Sequence, residues 1–320
     1  MAVGRPLLVI IGATASGKSD LALRVAERAG GGATAGGGAA AAVELLSVDS
    51  MQVYRHMNIG TAKPTPAERA RVPHHLIDVV EPNESFTVAR FVELADATIA
   101  GAAARGAGSV PLIATGGTPL YYKALFEGLF EGPPASDTIR ARLRSEPNEA
   151  LHRRLAEVDP AAAVRIHVND TKRLLRALEV FEMTGQPISS LQTEWADPKA
   201  RHRAIWFGLD WEKDALNRRI NARVKAMIAA GWLEETRSLL ERFGELSQTA
   251  GEATGYRELI AHVRGRMSLD EAVEQIKIGT RQLARRQIKW FRRFPDVTWL
   301  RGDADPEANA GAVLERWANV

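Results

Sequence analysis

Gly12, Gly17, Lys18 and Ser19 stand at the spacing G-x-x-x-x-G-K-S inside VIIGATASGKSD, residues 9–20. That spacing suits the cradling of a phosphate group. The glycines let the chain turn its amides toward an anion, and Ala13, Thr14, Ala15, Ser16, Gly17, Lys18 and Ser19 are the expected contacts. Lys18 adds a mobile positive charge, and the Ser19 hydroxyl is placed to meet a Mg²⁺ ion bound to the same phosphates. A second group able to do chemistry is Asp49, near the end of the run VELLSVDS. A carboxylate there is a candidate general base beside a phosphate site, or a cap for the turn after the strand. A motor-type ATPase would carry a further Asp or Asp-Glu at the end of another strand. The run SVPLIATGGT ends instead in Thr115-Gly116-Gly117-Thr118.

A phosphate loop needs a buried strand before it and a helix N-terminus after it. PLLVII (6–11) is a continuous apolar run, as expected for a strand covered on both faces, and SDLALRVAERAG (19–30) is apolar at helical spacing. Further strands are expected at VELLSV (43–48), HLIDVV (75–80), SVPLIA (109–114) and within RHRAIWFGLDW (201–211). The run from 85 to 106 reads as a helix with Ser85 as its N-cap. The Gly/Ala run at 30–42 has neither a face to bury nor a charge to anchor it and is expected as a mobile surface loop. Residues 138–185 read as short helices without a buried strand, stopped by Gly185 and Pro187. Helices are expected again over 212–230, 269–294 and 306–318.

Strands alternating with helices define the fold class as α/β: a P-loop NTPase-like parallel sheet core flanked by helices, with a small all-helical insertion domain. The expected division is 1–133 for the first part of the core, 134–196 for the insertion and 197–320 for the rest.

The 320 residues contain no cysteine, which excludes disulfides, thiolate zinc sites and cysteine-held iron–sulfur clusters and suits a cytoplasmic protein. His74, His75 and His167 lack metal-ligand spacing. No run of about 18 apolar residues occurs, so no membrane span is expected. RPLLVII is too short for the apolar region of a signal peptide. Net charge is only +3, yet KIGTRQLARRQIKWFRR (277–293) holds seven Lys/Arg and no acid. Arg281, Arg285, Lys289 and Arg292 fall on one helical face, and Ala284, Ile288 and Phe291 on another. Such a stripe is either an RNA-binding surface or a solvated face.

Taken together, GATASGKS, SVDSMQVYRHMNIGTAKP (47–64), ATGGTPLYYKALFEGL (114–129), DPAAAVRIHVNDTKRLLRALEVF (159–181), NRRINARVKAMIAAG (217–231), GYRE (255–258) and TRQLARRQIKWFR (280–292) resemble the tRNA dimethylallyltransferase family, also called tRNA isopentenyltransferases. The resemblance runs through nearly the whole chain in order. Ala13 stands where the family commonly has Pro, the run at 30–42 is an insertion relative to shorter members, and Glu252 stands where Gln or Arg is usual. The zinc finger of some eukaryotic members is absent, as the lack of cysteine requires.

The resemblance implies transfer of a dimethylallyl group from its diphosphate to N6 of the adenosine 3′ to a tRNA anticodon, with Mg²⁺ assisting. The substrates would be the tRNA anticodon stem-loop and dimethylallyl diphosphate. The family suggests a monomer, and no obligate protein partner is evident. Carried onto this chain, Asp49 orients N6 and accepts its proton, Lys18 and Arg223 hold the diphosphate, and Thr118 meets the target nucleotide. Ser50, Met51, Gln52, Arg140, Lys172, Arg173, Arg176, Gly255, Tyr256, Arg257, Arg281, Arg285 and Lys289 fall in strings that contact RNA. The residues alone leave two other readings open: a small-molecule kinase of the P-loop class, and a nucleotide-controlled RNA-binding switch.

Overall fold

The computed structural model describes residues 6–30, 43–105, 110–130, 132–192 and 201–319. The chain divides into two units, one formed by Met1–Leu125 with His202–Val320 and the other by Phe126–Arg201. Of the loop expected at 30–42, Gly30 closes α1, and 31–42 lie outside the described residues, as does the expected boundary at 196.

The first unit is built on six strands: β1 (Leu7–Gly12), β2 (Glu44–Ser47), β3 (His74–His75), β4 (Leu112–Gly116), β5 (Ala204–Asp210) and β6 (Val297–Arg301). They pair in the order β3-β2-β4-β1-β5-β6, every pair parallel. Every residue of β1 is buried, as its unbroken apolar sequence requires for a central strand. Helices α1 (Lys18–Gly30), α2 (Pro66–Arg71), α3 (Val88–Ala103) and α4 (Pro119–Glu127) follow in the first half of the chain. In α1, Leu21, Ala22, Val25 and Ala26 recur at helical spacing and join Leu8, Ile10, Leu45 and Ile113 in the core.

The second unit holds α5 (Asp137–Arg144), α6 (Asn148–Val158), α7 (Pro160–Arg165), α8 (Thr171–Thr184) and α9 (Ile188–Leu191). The chain then returns to the first unit, where α10 (Lys213–Ala229), α11 (Trp232–Phe243), α12 (Gln248–Gly251), α13 (Tyr256–Val263), α14 (Leu269–Phe291) and α15 (Pro306–Ala318) complete the fold. Gly185 ends α8 at φ 70°, the left-handed cap expected of it.

Three local expectations are corrected. The strand expected over 75–80 stops at His75, because Leu76 and Asp78 take positive φ. Lys63 and Arg69 draw the Asp78 carboxylate inward at 2.7 and 2.6 Å, and the turn follows from that pair of ion contacts. Helix α3 is capped by Thr87, whose hydroxyl accepts the Arg90 amide, and not by Ser85. Strand β6 was not expected; it lies at the sheet edge, half exposed, so its sequence lacks a continuous apolar run.

Leu143, Leu151, Leu155, Leu174 and Leu178 form the core of the second unit. Glu179 is fully buried there, and its carboxylate accepts the Ser136 amide at 2.7 Å and the Arg140 and Arg176 guanidiniums at 3.0 and 2.8 Å. Burial opposes the charge, but the guanidinium and amide bonds outweigh it and hold the pKa below the ordinary glutamate value. Glu179→Ala should cost about 3 kcal/mol by calorimetry, since it leaves two guanidiniums without their partner. Because the folded pKa is depressed, this stabilisation is full above about pH 4 and should be lost as pH falls through the folded value. The variant's stability should lack that component of the acid dependence.

Candidate active site

The carboxyl ends of β1, β2 and β4 carry the candidate residues, where ligands bind in open parallel sheets. Between β1 and α1 the chain turns through Ala15 at φ 64° and Gly17 at φ 93°. Left-handed backbone costs a non-glycine residue on the order of 1 kcal/mol. Three contacts hold the turn. The Ser16 amide donates to Ala13 O at 3.1 Å, Arg219 Nε donates to Ala15 O at 3.0 Å, and Trp211 Nε1 donates to Ser16 O at 2.9 Å. A Cβ at Gly12 would lie 2.4 Å from Ser16 Oγ, so the loop folds back against β1 only because that side chain is missing.

Not every expected amide faces the anion position. Thr14 N–H donates to Gln287 Oε1 at 2.8 Å, and the Ser16 amide is engaged within the turn. The amides of Lys18 and Ser19 open α1, where first-turn N–H groups have no intrahelical acceptor. Both are open to a phosphate, joined by the macrodipole of the helix.

Ala15, Gly17, Lys18 and Ser19 floor a cleft of about 400 Å³ walled by Arg219 and Arg223 of α10. Burial and, next, the charge of Arg223 pull the Lys18 pKa down to about 8, with Asp49 opposing the shift. Arg223 is lowered by burial and by Arg219, again opposed by Asp49. Cations pressed together out of water favour a multiply charged anion in this cleft. Arg219 lies with its guanidinium 4.5 Å from the Trp211 ring centroid.

Asp49 caps the turn after the strand, one of the two roles expected of it. Its Oδ1 caps the following turn, accepting the Met51 and Gln52 amides at 2.8 and 3.3 Å. Its Oδ2 points to Gly117: a Cβ there would lie 3.8 Å from Asp49 Oδ2 and 3.6 Å from Lys18 Nζ. Thr118 Oγ1 accepts the Ser50 amide at 3.0 Å and reaches Ser50 Oγ at 3.3 Å. Gln52 spans from Ser47 Oγ to the Ala62 carbonyl. One turn further, the Glu235 carboxylate accepts the amides of Asn58 and Ile59, both at 2.8 Å, and so pins the segment that follows Asp49.

Of the residues expected to touch RNA, Arg285 and Lys289 are exposed on α14 and Arg281 is half-buried, its Nη1 donating to Asn221 at 2.6 Å. Arg292 is exposed and paired with Asp210. Tyr256 is corrected: its side chain is buried edge-on against Trp232 and its hydroxyl donates to Glu235 at 2.6 Å, which removes it from any RNA surface. Gly255, at φ 100° with Trp232 where a Cβ would stand, is there to make this junction. Arg257 is held by Glu258. In the second unit Arg140 and Arg176 neutralise Glu179, Arg173 pairs with Asp170 at 3.4 Å, and Lys172 is exposed.

Arg219, Glu235 and Gln287 were missed. Arg219 stands one helical turn before Arg223, a spacing that could have marked it. Gln287 shares a helical face with Ala284 and Phe291, and a polar residue on an apolar face was the available signal. Among the described residues no group of three or more His, Cys, Asp or Glu side chains could hold a metal. The Ser19 hydroxyl and the Asp49 carboxylate are hard oxygen donors, which fits Mg²⁺ bound mainly through phosphate and water.

A parallel sheet with a glycine-rich loop after a central strand and a desolvated lysine at the following helix defines a P-loop α/β enzyme core. Residues 52–294 match the family model described as IPP transferase. The chain belongs to the IPP transferase family. It is 46% identical over 298 residues to a tRNA dimethylallyltransferase of Geobacter metallireducens, covering 92% of each chain. It is 46% identical over 322 residues to that of Roseiflexus sp., covering 98% of this chain and 99% of the relative. Among solved structures, the tRNA isopentenylpyrophosphate transferase of Bacillus halodurans is similar at TM-score 0.68 and 35% identity over 98% of both chains. A eukaryotic dimethylallyltransferase acting on tRNA is similar at TM-score 0.74 and 26% identity, over 92% of this chain and 73% of that one.

The low Lys18 pKa gives a pH test. Binding of inorganic diphosphate, followed by calorimetry, should weaken as pH rises through about 8 because the lysine loses its proton. The affinity should fall by up to about tenfold per pH unit while only the free-state lysine is deprotonated, and level off once the bound-state lysine also titrates. Lys18→Met should bind weakly throughout and lack this component of the pH dependence. An equal slope in both proteins would assign the titration to another group.

Proposed function

We propose that this chain transfers a dimethylallyl group from dimethylallyl diphosphate to N6 of the adenosine 3′ to a tRNA anticodon, releasing diphosphate. The observation that carries this reading is that Lys18 Nζ and Asp49 Oδ2 both come within 4 Å of the space a Cβ would fill at Gly117, which places a group suited to grip an anion near a group suited to act as a base. In the reaction the C1–O bond of the donor breaks, the N6–C1 bond forms, and the N6 proton leaves. Negative charge grows on the departing diphosphate, where the Lys18 and Ser19 amides, Lys18 and Arg223 stabilise it. Asp49 Oδ2 orients the amine and takes its proton, while Oδ1 stays engaged with the turn and fixes the carboxylate plane. Ser19 would hold Mg²⁺ together with the diphosphate, and the ion would neutralise part of the leaving charge.

The adenine must leave the anticodon stack to reach this space. Thr118 and Ser50, already joined to each other, are the groups we assign to the target nucleotide. Arg281, Arg285 and Lys289 are assigned to the RNA backbone, with Lys172 and Arg173 as contacts from the second unit. The kinase reading is not carried forward, since the similar proteins bear prenyl-transfer names. Among the described residues no helix is long and apolar enough to cross a membrane. We place the protein in the cytoplasm with its tRNA substrate, as a monomer.

Incubation with radiolabelled dimethylallyl diphosphate and unmodified tRNA should put label into the RNA without ATP. Label-free RNA accompanied by ATP turnover would overturn the reading. Asp49→Ala should lower kcat by roughly 10²- to 10⁴-fold with tRNA affinity retained; loss of affinity and thermal stability in its place would make Asp49 structural. Arg285→Ala or Lys289→Ala should weaken tRNA binding and reduce the salt slope by about one unit each. An unchanged slope would leave the stripe as a solvated face.

A further inference from the structure

Gln287 is buried at 6% exposure on the face of α14 that also carries Ala284 and Phe291, and it makes two long-range bonds. Its Oε1 accepts Thr14 N–H at 2.8 Å and its Nε2 donates to Gly117 O at 2.6 Å. The partners fix the orientation of the amide, because an N–H requires the oxygen and a carbonyl requires the nitrogen. One planar group therefore ties the phosphate loop to the turn after β4. The fit is close, since a Cβ at Gly117 would stand 2.7 Å from Gln287 Nε2.

The same helix reaches the other wall of the cleft. Arg281 bonds Asn221 of α10 at 2.6 Å, and Asn221 lies between Arg219 and Arg223 in sequence. Helix α14 spans 23 residues, with Arg285 and Lys289 exposed on the side away from Gln287. Helix α14 thus joins its exposed basic side to the loop through Gln287 and to α10 through Arg281. The Thr14 amide is engaged by Gln287 and so is not offered to an anion in the cleft.

We propose that Gln287 is a positioning residue that couples RNA binding on α14 to the affinity of the phosphate cleft for diphosphate. This rests on the reading of α14 as the RNA-facing helix. Coupling between two sites is a ratio of affinities, and it must be the same in both directions. A residue that merely fills the core would lower stability and both affinities without altering that ratio.

The test is a calorimetric cycle with inorganic diphosphate and Mg²⁺, on wild type and on Gln287→Met, each with and without an unmodified anticodon stem-loop. Methionine keeps the volume of the side chain and removes both bonds. Saturating RNA should change wild-type diphosphate affinity by about fivefold or more. In Gln287→Met the ratio should fall to near one, with RNA affinity within about twofold of wild type and melting checked in parallel. A variant that keeps the wild-type ratio, or a wild type whose ratio is one, overturns the proposal. A second readout needs no variant: hydrogen exchange of the segment holding Thr14 should change when RNA binds wild type, and unchanged exchange also overturns it. If RNA binds and is prenylated while the ratio persists in the variant, only this inference fails. If RNA does not bind wild type, the functional reading fails with it.

Discussion

Two glycines after the core of β4 set the distance at which the rest of the site meets. A Cβ at Gly116 would stand 2.1 Å from the Val48 carbonyl oxygen, and one at Gly117 would collide with the Gln287 amide. With hydrogen in both places, Val48 can give its amide to Thr115 O at 2.8 Å and take that of Thr118 at 3.3 Å. The two strand ends are thereby zipped past the end of regular pairing. That closure brings Asp49, at the end of β2, and Thr118, after β4, to the loop that follows β1. Any side chain at 116 would push β2 away from β4 and Asp49 away from the loop before it touched a substrate.

The electrostatics follow from that geometry. Lys18 is desolvated and repelled by the charge of Arg223, and Asp49 opposes that repulsion. Its internal acceptor, Ala13 O at 3.3 Å, is a weak one for an ammonium. A cleft in this condition gains most from an anion carrying several charges. It also gains more as charge accumulates on the departing group than it does in the ground state, which is the condition for catalysis. In the proposed reaction the glycine-rich loop accepts a leaving group, and the motif it shares with ATP-using enzymes reports the shape of a phosphate and no particular reaction.

The parts of the fold that local sequence encodes were legible. Strand β1 is continuous apolar residues because it is central, and α1 and α14 show their buried faces at helical spacing. Asp49, Lys18 and Thr118 could be placed because strand ends in a parallel sheet converge. What was not legible depends on a partner far away in sequence. The turn at Leu76–Asp78 needs Lys63 and Arg69, and the burial of Tyr256 needs Trp232 and Glu235. Arg140 and Arg176 read as free cations until Glu179 appears between them. Gln287 stood out in sequence only as a polar residue on an apolar helical face, and its bonds to Thr14 and Gly117 show what it joins.

The central claim is that the phosphate loop stabilises a diphosphate that departs intact, and the fate of one oxygen tests it most directly. Dimethylallyl diphosphate carrying ¹⁸O at the position bridging C1 and phosphorus should be turned over with unmodified tRNA and the products weighed by mass spectrometry. The account predicts that all of the ¹⁸O leaves in inorganic diphosphate, one molecule for each adenosine prenylated. Orthophosphate as the product, or ¹⁸O retained on the dimethylallyl carbon, would mean cleavage at phosphorus and would contradict it.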